Sequence, residues 1–143
     1  MRAFVAAARG VVLALLFTGP AFAANPLVGN WSSTVNWDNQ ASGLYQVMQL
    51  GATGAIRVRV MNHKGMAFDM FGTYTMDSTG KIMHFTWTSY APKQICGIGV
   101  GCTPLRPPFP LGVTYTSRIQ FQNANSFIGT ASDGTSTIWL RMK

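Results

Sequence analysis

The chain has 143 residues, of which 48% are hydrophobic, 12% aromatic and 10% charged, with a formal net charge of +7. All four acidic residues are aspartates, so catalysis by a pair of glutamates is excluded. The low charged fraction and the fifteen glycines also exclude an intrinsically disordered chain and a coiled coil. The composition favours a small β-protein.

The first 23 residues are typical of a secretory signal peptide. Arg2 and Arg9 supply positive charge, residues 11–17 form an apolar core, and residues 21–23 (Ala-Phe-Ala) form a small-x-small cleavage site. The apolar core is far shorter than the roughly 20 residues that span a bilayer, so no transmembrane span is predicted in the mature chain. We expect a secreted or periplasmic protein in which residues 24–143 form one domain.

Alternation of apolar and polar residues recurs along the mature chain, and no segment shows the 3.6-residue period of an amphipathic helix. The clearest case is residues 55–61, where Ile56, Val58 and Val60 alternate with arginines. This is the pattern of a half-buried strand, because successive side chains point to opposite faces. Eight strands are predicted, over residues 28–37, 44–50, 55–61, 66–76, 81–90, 113–122, 126–131 and 135–142.

Most of these strands are joined by turn residues in about two to five positions, which is the hairpin range. We therefore predict an all-β fold, a single antiparallel up-and-down β-barrel of about eight strands. Closure covers the apolar face of the sheet and removes its open edges. A barrel of this size holds packed side chains or one small ligand. A β-sandwich is the alternative fold.

Residues 91–112 interrupt this rhythm with a long connection that holds five of the seven prolines and both cysteines. Cys96 and Cys102 are predicted to form a disulfide in an oxidising compartment. A zinc site is disfavoured, because two thiolates without further Cys or His nearby cannot supply four ligands. Loops of this length are often lids or binding loops. The segment is thus a candidate recognition surface, with a simple plug for one barrel end as the alternative.

The first predicted strand begins with Gly29-Asn30-Trp31, a Gly-x-Trp motif, and the last one contains Arg141. In an exported β-meander these residues resemble the lipocalin and calycin barrels, a group that includes fatty-acid-binding proteins and avidins. The resemblance covers residues 26–143. It implies that Trp31 plugs the closed end of a barrel and that Arg141 packs across its ring. No Thr-Asp-Tyr stretch like the second lipocalin motif and no avidin biotin-binding pattern is recognisable, so the resemblance implies a fold and no particular ligand.

Aromatic and methionine side chains are frequent on the faces predicted to point into the barrel, as they are in many ligand pockets. Plain core packing is the competing interpretation at each position. From this set we predict a barrel interior that binds a small hydrophobic or aromatic molecule. The predicted lining is Phe68, Tyr74, Phe85, Trp87 and Tyr115.

A second hypothesis is a protein-binding module, such as an inhibitor of a secreted or envelope hydrolase. Small disulfide-bearing barrels that resemble bacterial protease inhibitors use a stiff protruding segment. Here that segment would be residues 103–110, extended by their prolines, with Arg106 and Phe109 as anchors. A segment that folds over the barrel mouth would favour the ligand-binding hypothesis instead.

Metal and catalytic chemistry have less support. Met61, His63 and Met66 carry thioether and imidazole groups that suit Cu(I), and they form a minor alternative as a copper site. No cofactor is predicted. The hypothesis that the protein is an enzyme is disfavoured, because neither a nucleophile elbow nor a His-Glu-x-x-His motif is present.

The basic residues Arg57 and Arg59 share one strand face. Such a face aids solubility, protects an edge or binds an anionic surface, and the expected export argues against a nucleic acid partner. Asp69 alternates with Phe68 and Met70, so we expect its carboxylate to face solvent.

Overall fold

The structure is a computed structural model that describes residues 25–34, 45–61 and 67–143. The predicted signal peptide and its cleavage site lie outside these residues. Within the described ranges all regular structure is β-strand. No helix in this part of the chain is long and apolar enough to cross a membrane.

Ten strands are formed by the described residues, and eight of them build one sheet. The strands are β1 (Gly29–Thr34), β2 (Tyr45–Leu50), β3 (Ala55–Met61), β4 (Ala67–Met76), β5 (Ile82–Ala91), β6 (Gln94–Gly97), β7 (Gly101–Pro104), β8 (Thr114–Asn123), β9 (Ser126–Ala131) and β10 (Ser136–Arg141). The bounds of the eight sheet strands agree with the predicted ones to within one residue wherever both ends are described.

The eight strands close into an antiparallel barrel in the order β1-β10-β9-β8-β5-β4-β3-β2. Sequence neighbours pair all around the barrel, and β1 closes it against β10 through Trp31↔Arg141 and Ser32↔Leu140. The predicted up-and-down β-barrel is confirmed, and the sandwich alternative is not the observed fold.

Strand direction defines two ends of the barrel. The end that we call closed holds residues 25–28 and the turns at 51–54, 77–81 and 124–125. The opposite end, which we call open, holds the connection from β5 to β8 and the turn at 132–135.

Two aromatic rings near the closed end are among the most buried side chains of the core. Trp31 and Phe127 are both 0% exposed, and their rings meet edge to face with centroids 4.7 Å apart. The side chain of Leu27 is buried beside them in the same cluster. The remaining buried apolar residues lie on the inward faces of their strands, as alternation requires: Met48, Leu50, Ile56, Met70, Tyr74, Met83, Trp87, Ile119 and Trp139.

A β-bulge at Thr88 shifts the inward-facing pattern of β5. Phe71 of β4 pairs with Ser89, whereas the next residue, Gly72, pairs with Trp87. Thr88 is thus the extra residue, and its hydroxyl donates to the carbonyl of Phe71 at 3.2 Å. Because a bulge skips one position, Tyr90 comes to lie opposite the buried Met70 and packs against the core.

The connection from β5 to β8 is more ordered than the predicted loop. Strands β6 and β7 form a separate hairpin in which Cys96 lies directly opposite Cys102. These two residues form a disulfide, with a Cα–Cα distance of 3.9 Å, which confirms that prediction. The hairpin lacks a strand pattern in the sequence because its strands have four residues each and it is rich in glycine.

Candidate functional site

Five aromatic side chains on the inner face of the barrel pack against the core and remain half-buried. One of them, Phe121, contacts Trp31 and Phe127, and the other four form a separate group. They come from β4, β5 and β8, and we call them the mouth aromatics: Phe68, Phe85, Tyr90 and Tyr115. Their rings form two stacked pairs. Phe68 lies on Tyr90 with centroids 5.7 Å apart, and Phe85 lies on Tyr115 at 5.6 Å.

Trp87 lies beside the second pair, on the same inner face of β5 as Phe85. Its side chain is only 4% exposed, and its ring meets Phe85 edge to face at 5.4 Å. Along the inner face of β5, the half-buried rings of Phe85 and Tyr90 thus lie on either side of the buried Trp87. The predicted lining residues Phe68, Phe85, Trp87 and Tyr115 all lie on this one inner face.

The barrel wall is notched between β5 and β8. These strands pair only as far as Thr86↔Thr114, so the last five residues of β5 extend beyond the start of β8. Residues 105–112, which we call the strap, meet this unpaired stretch: the Gly112 N–H donates to the carbonyl of Trp87 at 2.9 Å.

Both mouth tyrosines hold the strap. The Tyr90 hydroxyl donates to the carbonyl of Leu105 at 3.0 Å, and the Tyr115 hydroxyl donates to that of Pro110 at 3.4 Å. The ring of Phe109 packs edge to face on Tyr115, with centroids 5.6 Å apart. The strap therefore lies against the barrel mouth.

In the alternative hypothesis of a protein-binding module, residues 103–110 would project as a recognition segment, and the structure places residues 105–112 against the barrel mouth. Of the two predicted anchors, Phe109 packs on the barrel, and Arg106 is exposed. The side chains that do project are Ile98 and Val100 at the end of the β6–β7 hairpin, 106% and 85% exposed. Tyrosine hydroxyls from two distant strands, β5 and β8, thus hold the strap at the mouth.

Tyr74, the fifth predicted lining residue, is directed elsewhere. It pairs with Phe85 across β4 and β5, but its side chain is buried and its hydroxyl donates to the carbonyl of Gly51 at 2.9 Å. Gly51 belongs to a turn at the closed end. Burial raises the pKa of the Tyr74 hydroxyl, which stays a neutral donor in the core.

Trp31 and Arg141 meet at the closed end. The Arg141 guanidinium carbon lies 4.2 Å from the centroid of the Trp31 ring. Its nitrogens donate to the carbonyls of Pro26, Val28 and Ala124 at 2.6, 3.1 and 3.1 Å. Arg141 thus joins β10 to residues 26–28 and to the turn at 124–125.

On the outer face, Asp69 lies between Arg57 and Arg59. Each arginine donates two hydrogen bonds to its carboxylate, at 3.2 Å from Arg57 and 2.8 Å from Arg59. Hydrogen bonds from Arg59 and then Arg57 hold the pKa of Asp69 below its ordinary value, against the opposing effect of burial. Asp69 was expected to face solvent. It does lie on the outer face, but the flanking arginines leave it only 8% exposed.

The copper hypothesis is only partly located. Met61 ends β3 on the same outer face as Arg57 and Arg59, while His63 and Met66 lie outside the described residues. Among the side chains that the structure describes, no three His, Cys, Asp or Glu groups are placed to hold a metal ion.

The sequence matches no known family model, and no curated protein shows significant similarity to it. The candidate site therefore rests on the geometry of the chain. Sequence reasoning missed Tyr90, because the bulge at Thr88 reverses the alternation. It also missed the notch that receives the strap. The notch depends on the stagger between β5 and β8, which are neighbours in the barrel but lie far apart in the sequence, so no local sequence pattern predicts it.

Proposed function

We propose that the protein is an exported, lipocalin-like binding protein that holds a small apolar or aromatic molecule among the mouth aromatics and beneath the strap. One observation carries this proposal: the rings of Phe68, Phe85, Tyr90 and Tyr115 face inward and form two stacked pairs yet stay half-buried, whereas Trp31 and Phe127 are 0% exposed. A barrel that only needed a packed core would bury these rings as fully as it buries Trp31 and Phe127.

The chemistry of the lining defines the class of ligand. The two mouth tyrosines already use their hydroxyls as donors to strap carbonyls. The Tyr90 ring is also covered by the Lys93 ammonium, 3.5 Å from its centroid, so the surfaces left to a ligand are the remaining ring faces and edges. Such surfaces favour apolar burial and aromatic stacking. We infer a ligand that is largely apolar or aromatic.

Export and the lipocalin-like relationship belong to the same proposal. Export is supported by the Cys96–Cys102 disulfide, a crosslink that persists in oxidising compartments, and by the signal-peptide pattern of the first 23 residues. The relationship is supported by the closed eight-stranded barrel and by the contact of Arg141 with Trp31.

A hydrolase inhibitor acting through residues 103–110 is the less favoured function. It would need a segment that protrudes from the barrel, and the contacts of Leu105, Phe109 and Pro110 with the mouth tyrosines hold this one against the barrel.

A fluorescence titration with N-phenyl-1-naphthylamine tests the binding site. Phe68→Ala opens the inner face, and Phe71→Ala is the matched control, because Phe71 lies three residues away on the outer face of β4, near Arg57. We expect saturable enhancement with the wild type and with Phe71→Ala, and affinity about tenfold weaker with Phe68→Ala, since one aromatic contact is lost. No saturable binding, or equal effects of the two substitutions, would refute the proposed site.

A further inference from the structure

We propose that the end of the β6–β7 hairpin is a membrane-docking element that inserts Ile98 and Val100 into the interface of an anionic bilayer. We call residues 97–101 the tip. This function differs from ligand binding at the mouth and does not depend on it.

The tip presents aliphatic side chains directly to solvent. Ile98 is 106% exposed and Val100 85%, and the nearby Ile95 is also exposed, at 45%. The other three residues of the tip are glycines. Single exposed apolar residues are ordinary on protein surfaces. Here two highly exposed aliphatic side chains, separated by one glycine, lie together at the end of a projecting hairpin and form an apolar patch.

The hairpin is stiff enough to hold this patch in place. The disulfide joins Cys96 to Cys102 on either side of the tip, and the Val100 N–H donates to the carbonyl of Gly97 within it. At the base, the Leu105 N–H donates to the carbonyl of Lys93 at 2.8 Å. A preorganised element loses little conformational entropy when it docks.

The positive charge near the hairpin indicates that the tip docks on an anionic surface. The connection from residue 92 to residue 112 contains Lys93 and Arg106 and no acidic residue. Lys93 precedes β6, with its ammonium 3.5 Å from the centroid of the Tyr90 ring, and Arg106 follows β7 and is exposed. Apolar side chains with cations behind them match the interface of an anionic bilayer, where the chains enter the acyl boundary and the cations meet the headgroups. Two described acids lie toward the open end: Asp133, in the turn between β9 and β10, and Asp69, whose carboxylate is held by Arg57 and Arg59.

A protein partner is less well matched by these residues. The tip sequence Gly-Ile-Gly-Val-Gly has no polar side chain, so it offers no side-chain hydrogen bond by which a particular protein could be recognised. Insertion into the acyl layer of a bilayer requires no side-chain hydrogen bond. Docking in this way would place the open end of the barrel at the lipid surface.

Vesicle sedimentation with the mature, disulfide-bonded protein tests the proposal. The vesicles contain equal parts of phosphatidylcholine and phosphatidylglycerol, or phosphatidylcholine alone. The test variant is Ile98→Ser with Val100→Ser. The control is Ile138→Ser with Leu140→Ser, because these aliphatic residues are also exposed, at 53% each, on the outer face of β10.

We expect the wild type and the control to bind the anionic vesicles, and the tip variant to bind about tenfold more weakly, because two aliphatic contacts are lost. Binding to phosphatidylcholine alone should be weaker, since the cations then lack a counter-charge. An Ile98→Trp variant should shift its emission to shorter wavelength with anionic vesicles.

Absence of wild-type binding, or equal binding by the tip variant, would overturn the proposal. Sedimentation velocity without lipid examines the main alternative occupant, a second copy of the chain. A dimer that the tip variant abolishes, together with no vesicle binding, would make the tip a contact between copies and would likewise overturn membrane docking. The naphthylamine titration contains no lipid, so failure of either proposal is recognised separately.

Discussion

Arg141 lies across the ring of Trp31, with its guanidinium carbon 4.2 Å from the ring centroid. The two residues also pair in register where β1 meets β10, so a cation–π contact coincides with the seam that closes the barrel. The Trp31 indole N–H donates to the carbonyl of Leu27 at 2.8 Å, which fixes the ring beneath the guanidinium. This contact joins the beginning and the end of the described barrel.

Replacing Arg141 should destabilise the barrel. Arg141→Ala removes the ring contact and leaves the carbonyls of Pro26, Val28 and Ala124 without their donor, at a cost of about 2–4 kcal/mol. Arg141→Lys keeps the charge and loses the planar fork, so about half of that effect is expected. Urea unfolding measures both, with Arg118→Ala, exposed on β8, as the control. Equal stability of all three variants would contradict the role of this contact.

Gly72 tests the bulge on which the inward position of Tyr90 depends. A Cβ at Gly72 would overlap the backbone carbonyl of Thr86, so Gly72→Ala should cost about 3 kcal/mol or more. At Gly51, an added Cβ meets Ala55 at an ordinary 3.6 Å, and Gly51→Ala should stay within about 1 kcal/mol of the wild type. Thermal unfolding compares the two. Similar melting temperatures would mean that the bulge is placed wrongly.

The carboxylate of Asp69 should make stability depend on pH. Its pKa is lower in the folded protein than its ordinary value of 3.8, so its contribution is fully present above the ordinary value and is lost as pH falls through the folded one. Asp69→Asn removes this contribution and leaves Arg57 and Arg59 facing each other. Since both arginines are partly exposed, we expect a loss of only about 1 kcal/mol at neutral pH.

Urea midpoints at neutral pH and near pH 2 measure this effect. The difference between wild type and Asp69→Asn should shrink at the acidic pH, and salt should also reduce it by screening. A difference that stays constant or grows on acidification would show that Asp69 is not held in its ionised form by the two arginines.

The disulfide should act on the hairpin more than on the barrel, because strands β6 and β7 form a sheet separate from the barrel sheet. Replacing Cys96 and Cys102 by serine removes about 2 kcal/mol of restraint in the loop-entropy model. Amide hydrogen exchange should become faster at Leu105 and Val100, while the Met142 amide, bonded to Asn30 in the barrel seam, stays protected. Uniformly faster exchange would mean that the hairpin and the barrel unfold together.

The positions of the barrel strands could be predicted from the local alternation of apolar and polar residues, because each strand has one face toward the core and one toward the outside. Residues 55–61 show how directly that pattern maps onto a strand. Features that depend on a single backbone irregularity or on distant contacts were not readable. Tyr90 faces inward only because Thr88 is skipped, and the strap lies on the mouth because hydroxyls of Tyr90 and Tyr115 hold it.

The candidate site was predictable in part for the same reason. The alternation of side chains along each strand predicted which residues share the inner face: Phe68, Phe85, Trp87 and Tyr115. Alternation does not predict how far along the barrel axis each ring lies. The structure separates Tyr74, whose hydroxyl reaches the carbonyl of Gly51, from the rings nearer the open end. The position of a residue along the barrel axis depends on the stagger between neighbouring strands. That stagger cannot be predicted from the sequence of one strand.

Native mass spectrometry of protein released gently from the cells that make it tests the central claim most directly. If the mouth aromatics hold a ligand, the wild type and Phe71→Ala should carry an adduct of roughly a few hundred daltons, and Phe68→Ala should carry less of it or none. A bare mass in all three proteins, lacking only the two hydrogens lost in the disulfide, would contradict the proposed binding function.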